Sequence, residues 1–165
     1  MTALFPSDII ERARRVVAGC RTHGLSLVTA ESCTGGLIAA AITEIPGASD
    51  IFERGMVTYS NEAKIELLSV AEETLVGHGA VSEAVARAMA EGAIANSAAV
   101  LSVAVTGIAG PSGGSPEKPV GLVYLACARK GQPTLHRREI FPGDRTAVRL
   151  ATTAAALDLL LKRMA

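Results

Sequence analysis

The sequence carries no surplus of either charge. Lys plus Arg number 16 and Asp plus Glu number 16, for a formal net charge of zero. A protein that grips a nucleic-acid backbone usually has a basic excess, so nucleic acid is a disfavoured partner. Metal-ligand spacing is lacking too. Cys20, Cys33 and Cys127 are as scattered as His23, His78 and His136, with no CxxC or HxxxH pair among them. No metal site is therefore expected. An odd, widely spaced set of thiols fits reduced cysteines in the cytoplasm. No apolar run reaches the length of a membrane span, and the N-terminal MTALFPSDIIERARR lacks the apolar core of a signal peptide. A soluble, cytoplasmic protein with no membrane partner is the expectation. Neither an internal repeat nor a linker is apparent.

What is present suits one domain with a sizeable core. The chain has 165 residues, 49% of them hydrophobic and 19% charged, which favours folding over disorder. Helical and extended patterns alternate along it. Pro6-Ser7-Asp8 opens a helix that ends at Gly24, and Leu25 to Ala30 reads as a short buried strand. A helix over Gly35 to Glu44 follows, stopped by Pro46-Gly47. Phe52 to Tyr59 reads as a strand and Asn61 to Leu68 as a short helix. Ser82 caps an alanine-rich helix reaching Ala98, whose small side chains allow close approach to a sheet. Val100 to Val105 is the clearest central strand. Val120 to Ala128 and Leu135 to Phe141 form an expected antiparallel hairpin across RKGQPT. Asp144 caps a final helix with Val148, Ala151, Ala155 and Leu159 on one stripe. The expected fold class is α/β: a three-layer domain around a mixed sheet.

Ligands of open α/β sheets collect where strands end and helices begin. Three such places carry chemistry. The first is TAESCTGG, Thr29 to Gly36. If Thr34 caps the next helix, Gly35 and Gly36 occupy its first turn with free N–H groups, which favour an anion beside Ser32. That anion could be a phosphate or the oxyanion formed when a hydroxyl attacks an amide. The same residues also make an ordinary capped turn. Cys33, a thiol near a helix start, is a rival nucleophile. Side chains alternate along an extended strand end, so Ser32 and Cys33 should face opposite ways. Ser32 is taken to face the ligand and Cys33 the core.

A serine nucleophile needs a partner for its proton. No histidine falls at a ligand-facing strand end, so a Ser–His–Asp triad is not indicated. VTYSNEAK, Val57 to Lys64, offers Tyr59 at a strand end and Asn61 and Lys64 on one face of the next helix. A lysine acts as a base only when neutral, which requires its pKa to fall from about 10.4 toward the working pH. A solvated surface lysine is the other reading. The third place is TGIAGPSGGSPEKP, from Thr106, where Gly107, Gly110, Gly113 and Gly114 expose N–H groups that can nest an anion. It lacks the GxxxxGK[ST] spacing of a Walker A loop, and GIAG does not join two helices as the KH-domain GxxG does. Finally, Arg145 falls in the first turn of the last helix, where the dipole disfavours a cation; pairing with a substrate phosphate or carboxylate would account for it.

TAESCTGG, FERGMVTYSNEAK, HGAVSE, VTGIAGPSGGSPEKPVG and FPGDR, in that order from about Leu25 to the last helix, resemble the CinA C-terminal domain family. Its characterised members are nicotinamide mononucleotide deamidases. The resemblance implies a three-layer α/β/α sandwich with a mixed, mostly parallel sheet of about five or six strands, in one domain over 1–165. It implies hydrolysis of the nicotinamide amide to nicotinic acid mononucleotide and ammonia. The catalytic residues would be Ser32, Tyr59 and Lys64, with Lys64 acting directly or through Tyr59. Thr34, Gly35, Gly36, Asn61, Thr106, Gly107, Gly110 and Arg145 would bind the substrate. No cofactor is implied, and a small apolar domain of this kind is expected to pair as a homodimer. The chain looks like the stand-alone form, without the metal-dependent N-terminal domain of longer CinA proteins. The rival expectation is a module of the same fold that binds the nucleotide, or a protein, without turnover.

Overall fold

A computed structural model describes residues 3–165. Helix α1 (Ser7–His23) buries Ile9, Ala13, Val16, Val17 and Cys20 along one face, and Gly24 ends it in the left-handed conformation. Strand β1 (Leu27–Glu31) is buried throughout and leads to α2 (Leu37–Thr43). Strand β2 (Phe52–Val57) is followed by three helices: α3 (Asn61–Leu68), α4 (Glu72–His78) and α5 (Glu83–Ala95). Strands β3 (Leu101–Gly107), β4 (Leu122–Arg129) and β5 (Gln132–Ile140) complete the sheet, and α6 (Arg145–Met164) closes the chain.

The five strands lie in the order β2-β1-β3-β4-β5. β1 is parallel to both β2 and β3, whereas β4 is antiparallel to β3 and β5. Only β4 therefore runs against the rest. Two cores flank this sheet. Leu27, Val103, Val105, Val123 and Leu125 face α1, α2 and α6. Val28, Ala30, Ala104, Ala126 and Ala128 face α3, α4 and α5. The result is a three-layer α/β/α sandwich around a mixed sheet, as expected.

The second face is lined largely by alanine, and α5 answers with Ala86, Ala90 and Ala93. Small side chains on both surfaces bring the helix so near that Ser102 Oγ, on β3, donates to the Ala90 carbonyl at 2.7 Å. Among the described residues, no helix is long and apolar enough to cross a membrane.

Several boundaries differ from expectation. Helix α2 begins at Leu37 because Gly35 and Gly36 adopt φ of 57° and 103°, outside the helical region. The hairpin turns at Lys130-Gly131 rather than across RKGQPT, so β5 begins at Gln132 and takes in Pro133. Proline is tolerated there because β5 is an edge strand. Helix α4 has no counterpart in the sequence expectations: it is short, and Leu75 is its one buried residue.

Chain direction changes sides at β1. From β1 the chain crosses to β2 on one flank, then returns to β3 on the other. The carboxyl ends of β1 and β3 thus flank a topological switch point, where open α/β sheets bind ligands. The start of α6 reaches the same edge, because β5 runs parallel to β3 and ends there.

Candidate active site

The turn after β1 is held by Glu31, whose carboxylate is 1% exposed. Its oxygens accept from Thr34 Oγ1 at 2.7 Å and from the N–H groups of Ile38 and Ala39 at 2.9 and 3.0 Å. A carboxylate at a helix start satisfies unpaired donors and complements the dipole. Thr34 was expected to cap α2. The cap is Glu31 instead, and the Thr34 hydroxyl donates to it. The N–H of Gly35 is engaged by the Ser32 carbonyl at 3.1 Å. Thr34 is fully buried, and neither it nor Gly35 or Gly36 lines the neighbouring cleft. The expectation of a helical first turn with free N–H groups at Gly35 and Gly36 is corrected in two respects: both glycines precede the helix, and the Gly35 N–H is engaged.

Ser32 and Cys33 do not part as strand alternation predicts: β1 ends at Glu31, both residues lie in the turn after it, and both border the neighbouring cleft. Cys33 packs into the core against the α1, α2 and α6 layer, and burial pushes its thiol up to about 11. A thiol so disfavoured as thiolate is a poor nucleophile at neutral pH. Ser32 meets Lys64. On α3, whose first turn is capped by Ser60 Oγ accepting from Ala63 N at 3.0 Å, Lys64 turns inward and is 1% exposed. Its Nζ lies 3.0 Å from Ser32 Oγ, 2.7 Å from the Thr58 carbonyl and 3.3 Å from the Tyr59 carbonyl. Burial lowers the Lys64 pKa, with the nearby Cys33 acting in the opposite sense.

A cleft of about 300 Å³ opens above this pair, at the lower end of the range for small-ligand pockets. Tyr59, Asn61, Thr106, Gly107, Gly110 and Arg145 all line it together with Ser32 and Lys64. Arg145 spans its mouth, donating to the Gly110 carbonyl at 2.8 Å and to the Tyr59 hydroxyl at 3.1 Å. Tyr59 is 61% exposed, and its hydroxyl meets Arg145, with only its backbone carbonyl meeting Lys64. Thr106 is buried and donates to the Ala80 carbonyl at 2.8 Å. Among the described residues, none accepts a hydrogen bond from the N–H of Gly110, Ser112 or Gly113. Arg145 supplies a positive charge at the mouth, and no carboxylate is on the lining to oppose it. Such a cleft favours an anionic ligand.

Sequence reasoning missed four contributors. Ala80 and Val81 supply a wall from the link between α4 and α5, and only the fold brings that link to the edge. Glu31 could have been noticed as a carboxylate at a strand end one turn before a helix. Arg149 donates to the Cys33 and Thr34 carbonyls at 3.1 and 3.0 Å; nothing local in the sequence announces it. Among the described residues there is no group of three or more His, Cys, Asp or Glu that could hold a metal ion.

Fold and cleft together define an α/β domain with a buried serine–lysine pair at the switch point of its sheet. More narrowly, the chain belongs to the CinA C-terminal domain family, whose model matches residues 10–164. It is 51% identical over 154 residues to the nicotinamide-nucleotide amidohydrolase PncC of Escherichia coli strain K12, covering 93% of each chain. It matches a CinA-like protein of Akkermansia muciniphila at 52% identity over 148 residues, which are 90% of this chain and 36% of that protein. The crystal structure of the competence/damage inducible protein CihA from Agrobacterium tumefaciens superimposes with a TM-score of 0.95 at 52% identity, covering 98% of each chain.

Proposed function

We propose that this chain is a nicotinamide-nucleotide amidohydrolase, converting nicotinamide mononucleotide to nicotinic acid mononucleotide and ammonia. The observation that carries the reading is the 3.0 Å contact between Lys64 Nζ and Ser32 Oγ inside a buried site. The name of the Escherichia coli relative, matched along nearly its whole length, supports the substrate class.

The chemistry follows from the contacts of the amine. A neutral lysine has two N–H groups and one lone pair. Nζ donates to the carbonyls of Thr58 and Tyr59 at 2.7 and 3.3 Å, with that of Ser60 at 3.5 Å, and to Ser32 Oγ at 3.0 Å. Once the amine is neutral, its two N–H groups stay on the carbonyls and its lone pair takes the hydroxyl hydrogen of Ser32. As Ser32 Oγ bonds to the carboxamide carbon, its proton passes to Lys64. The C–N bond then breaks and Lys64 returns that proton to the departing nitrogen, releasing ammonia. Water attacks the ester left on Ser32, giving one proton to Lys64; the ester bond breaks and Ser32 recovers a proton from Lys64. The residues act as nucleophile and general base in turn. Tyr59 is not needed as a relay, since its hydroxyl is bonded to Arg145. Arg145 and the unpaired N–H groups of Gly110, Ser112 and Gly113, all on the cleft lining, would receive the phosphate.

The test is ammonia release from nicotinamide mononucleotide by the wild type, Ser32→Ala and Cys33→Ala. Ser32→Ala is expected to abolish turnover while remaining folded, and Cys33→Ala to retain it. Binding of the nucleotide by the wild type without ammonia release would instead support a binding module.

A further inference from the structure

Arg149 lies one helical turn beyond Arg145 on α6 and takes no part in the cleft lining. Its guanidinium nevertheless holds both the Cys33 and Thr34 carbonyls, one with Nε and one with Nη2. The same turn is gripped by the buried Glu31 carboxylate through Thr34 Oγ1 and the first N–H groups of α2. We propose that Arg149 and Glu31 are positioning residues for Ser32, a cation–anion bracket that locks the turn presenting its hydroxyl to Lys64. This rests on Ser32 being the nucleophile assigned above.

The backbone explains why a bracket is needed. Ser32 N–H is anchored by the Val105 carbonyl at 3.1 Å, so the sheet fixes where the turn begins. Beyond it stand Gly35 and Gly36, both at positive φ, and a glycine pair permits many other conformations. Five charge-assisted hydrogen bonds from two side chains select one of them. Four of the five fall on Cys33, Thr34 and Ile38, within six residues of the nucleophile. Arg149 reaches its two carbonyls from a helix 115 and 116 positions away in sequence. The planar guanidinium suits two adjacent carbonyls in a way that a lysine ammonium does not.

The experiment uses the full chain with Arg149→Met, Arg149→Lys and Glu31→Gln. Two quantities are read: kcat and KM for ammonia release from nicotinamide mononucleotide, and the rate at which an alkyl fluorophosphonate labels Ser32, followed by mass spectrometry. Arg149→Met is expected to lower kcat and the labelling rate together by about 10- to 100-fold, the scale of a misplaced reacting group, with KM unchanged. Arg149→Lys should recover part of both, since an ammonium can hold one carbonyl. Glu31→Gln gives the same signature and serves if Arg149→Met does not fold. Wild-type kcat and labelling in these variants, or a raised KM with kcat intact, overturns the bracket while leaving the amidohydrolase reading standing. A wild type that releases no ammonia but labels at Ser32, with labelling slowed in Arg149→Met, retains the bracket and removes the substrate assignment.

Discussion

At the scale of single residues, the proposed chemistry depends on a buried amine. Lys64 is 1% exposed, and burial lowers its pKa. Desolvation of an ammonium is costly, and the Thr58 and Tyr59 carbonyls offset that cost in part. Activity should therefore rise with pH along a limb set by deprotonation of Lys64, with its midpoint below the ordinary lysine value of about 10.4. Stability should follow the same direction. Between the folded pKa and the unfolded one, near 10.4, the unfolded chain binds more protons, so unfolding free energy increases with pH across that window. Replacing Lys64 by Met removes both effects: no ammonia release at any pH, and a flatter denaturant midpoint across the alkaline range. An unchanged ascending limb in Lys64→Met would contradict the assignment. Cys33 illustrates how much was readable locally. The expectation that it faces the core is met in its packing against the α1, α2 and α6 layer and in a thiol pushed up to about 11, but Cys33 also borders the cleft, because the chain has already turned beyond Glu31. The cap of α2 was not readable, because a Ser/Thr rule for the adjacent residue competes with a carboxylate three positions earlier that local sequence rules do not rank.

At the scale of elements, α3 carries Lys64, and its position is set by α5. Gly92 on α5 lies so close to the end of α3 that an added Cβ would sit 1.8 Å from the Leu68 carbonyl oxygen. The obstacle is backbone, so the helix pair would have to separate. Gly92→Ala raises helix propensity by about 1 kcal/mol, yet overpacking of this kind costs about 1–3 kcal/mol or more. Net destabilisation is expected in urea unfolding, with a loss of activity greater than the change in stability, because α3 shifts Lys64 relative to Ser32. A stabilised, fully active Gly92→Ala would contradict the packing. The glycine itself is visible in the sequence as an anomaly inside an alanine-rich helix, but its reason lies in a neighbour 24 positions earlier. Helix α4 escaped for a related cause: EETLVGH buries one large side chain, too few to mark a periodic face.

At the scale of the molecule, the candidate site is a product of topology. β1, β2 and β3 end at one edge, and the reversed β4 returns the chain so that β5 delivers α6 to that edge as well. The strand-end rule singled out the corner at Ser32, the segment around Lys64 and the loop from Thr106, the helix dipole singled out Arg145, and all four border one cleft. What the sequence could not supply was the partnering across that edge: Arg145 with the Tyr59 hydroxyl, Arg149 with the turn, and the α4–α5 link as a wall. These are contacts between surfaces that meet only after folding. The most direct test of the whole is to quench the wild-type protein during turnover of nicotinamide mononucleotide and locate any covalent adduct by peptide mass spectrometry. The account predicts a nicotinic acid mononucleotide ester on Ser32, absent from Ser32→Ala. An adduct on Cys33, or undiminished ammonia release by Ser32→Ala, would contradict it.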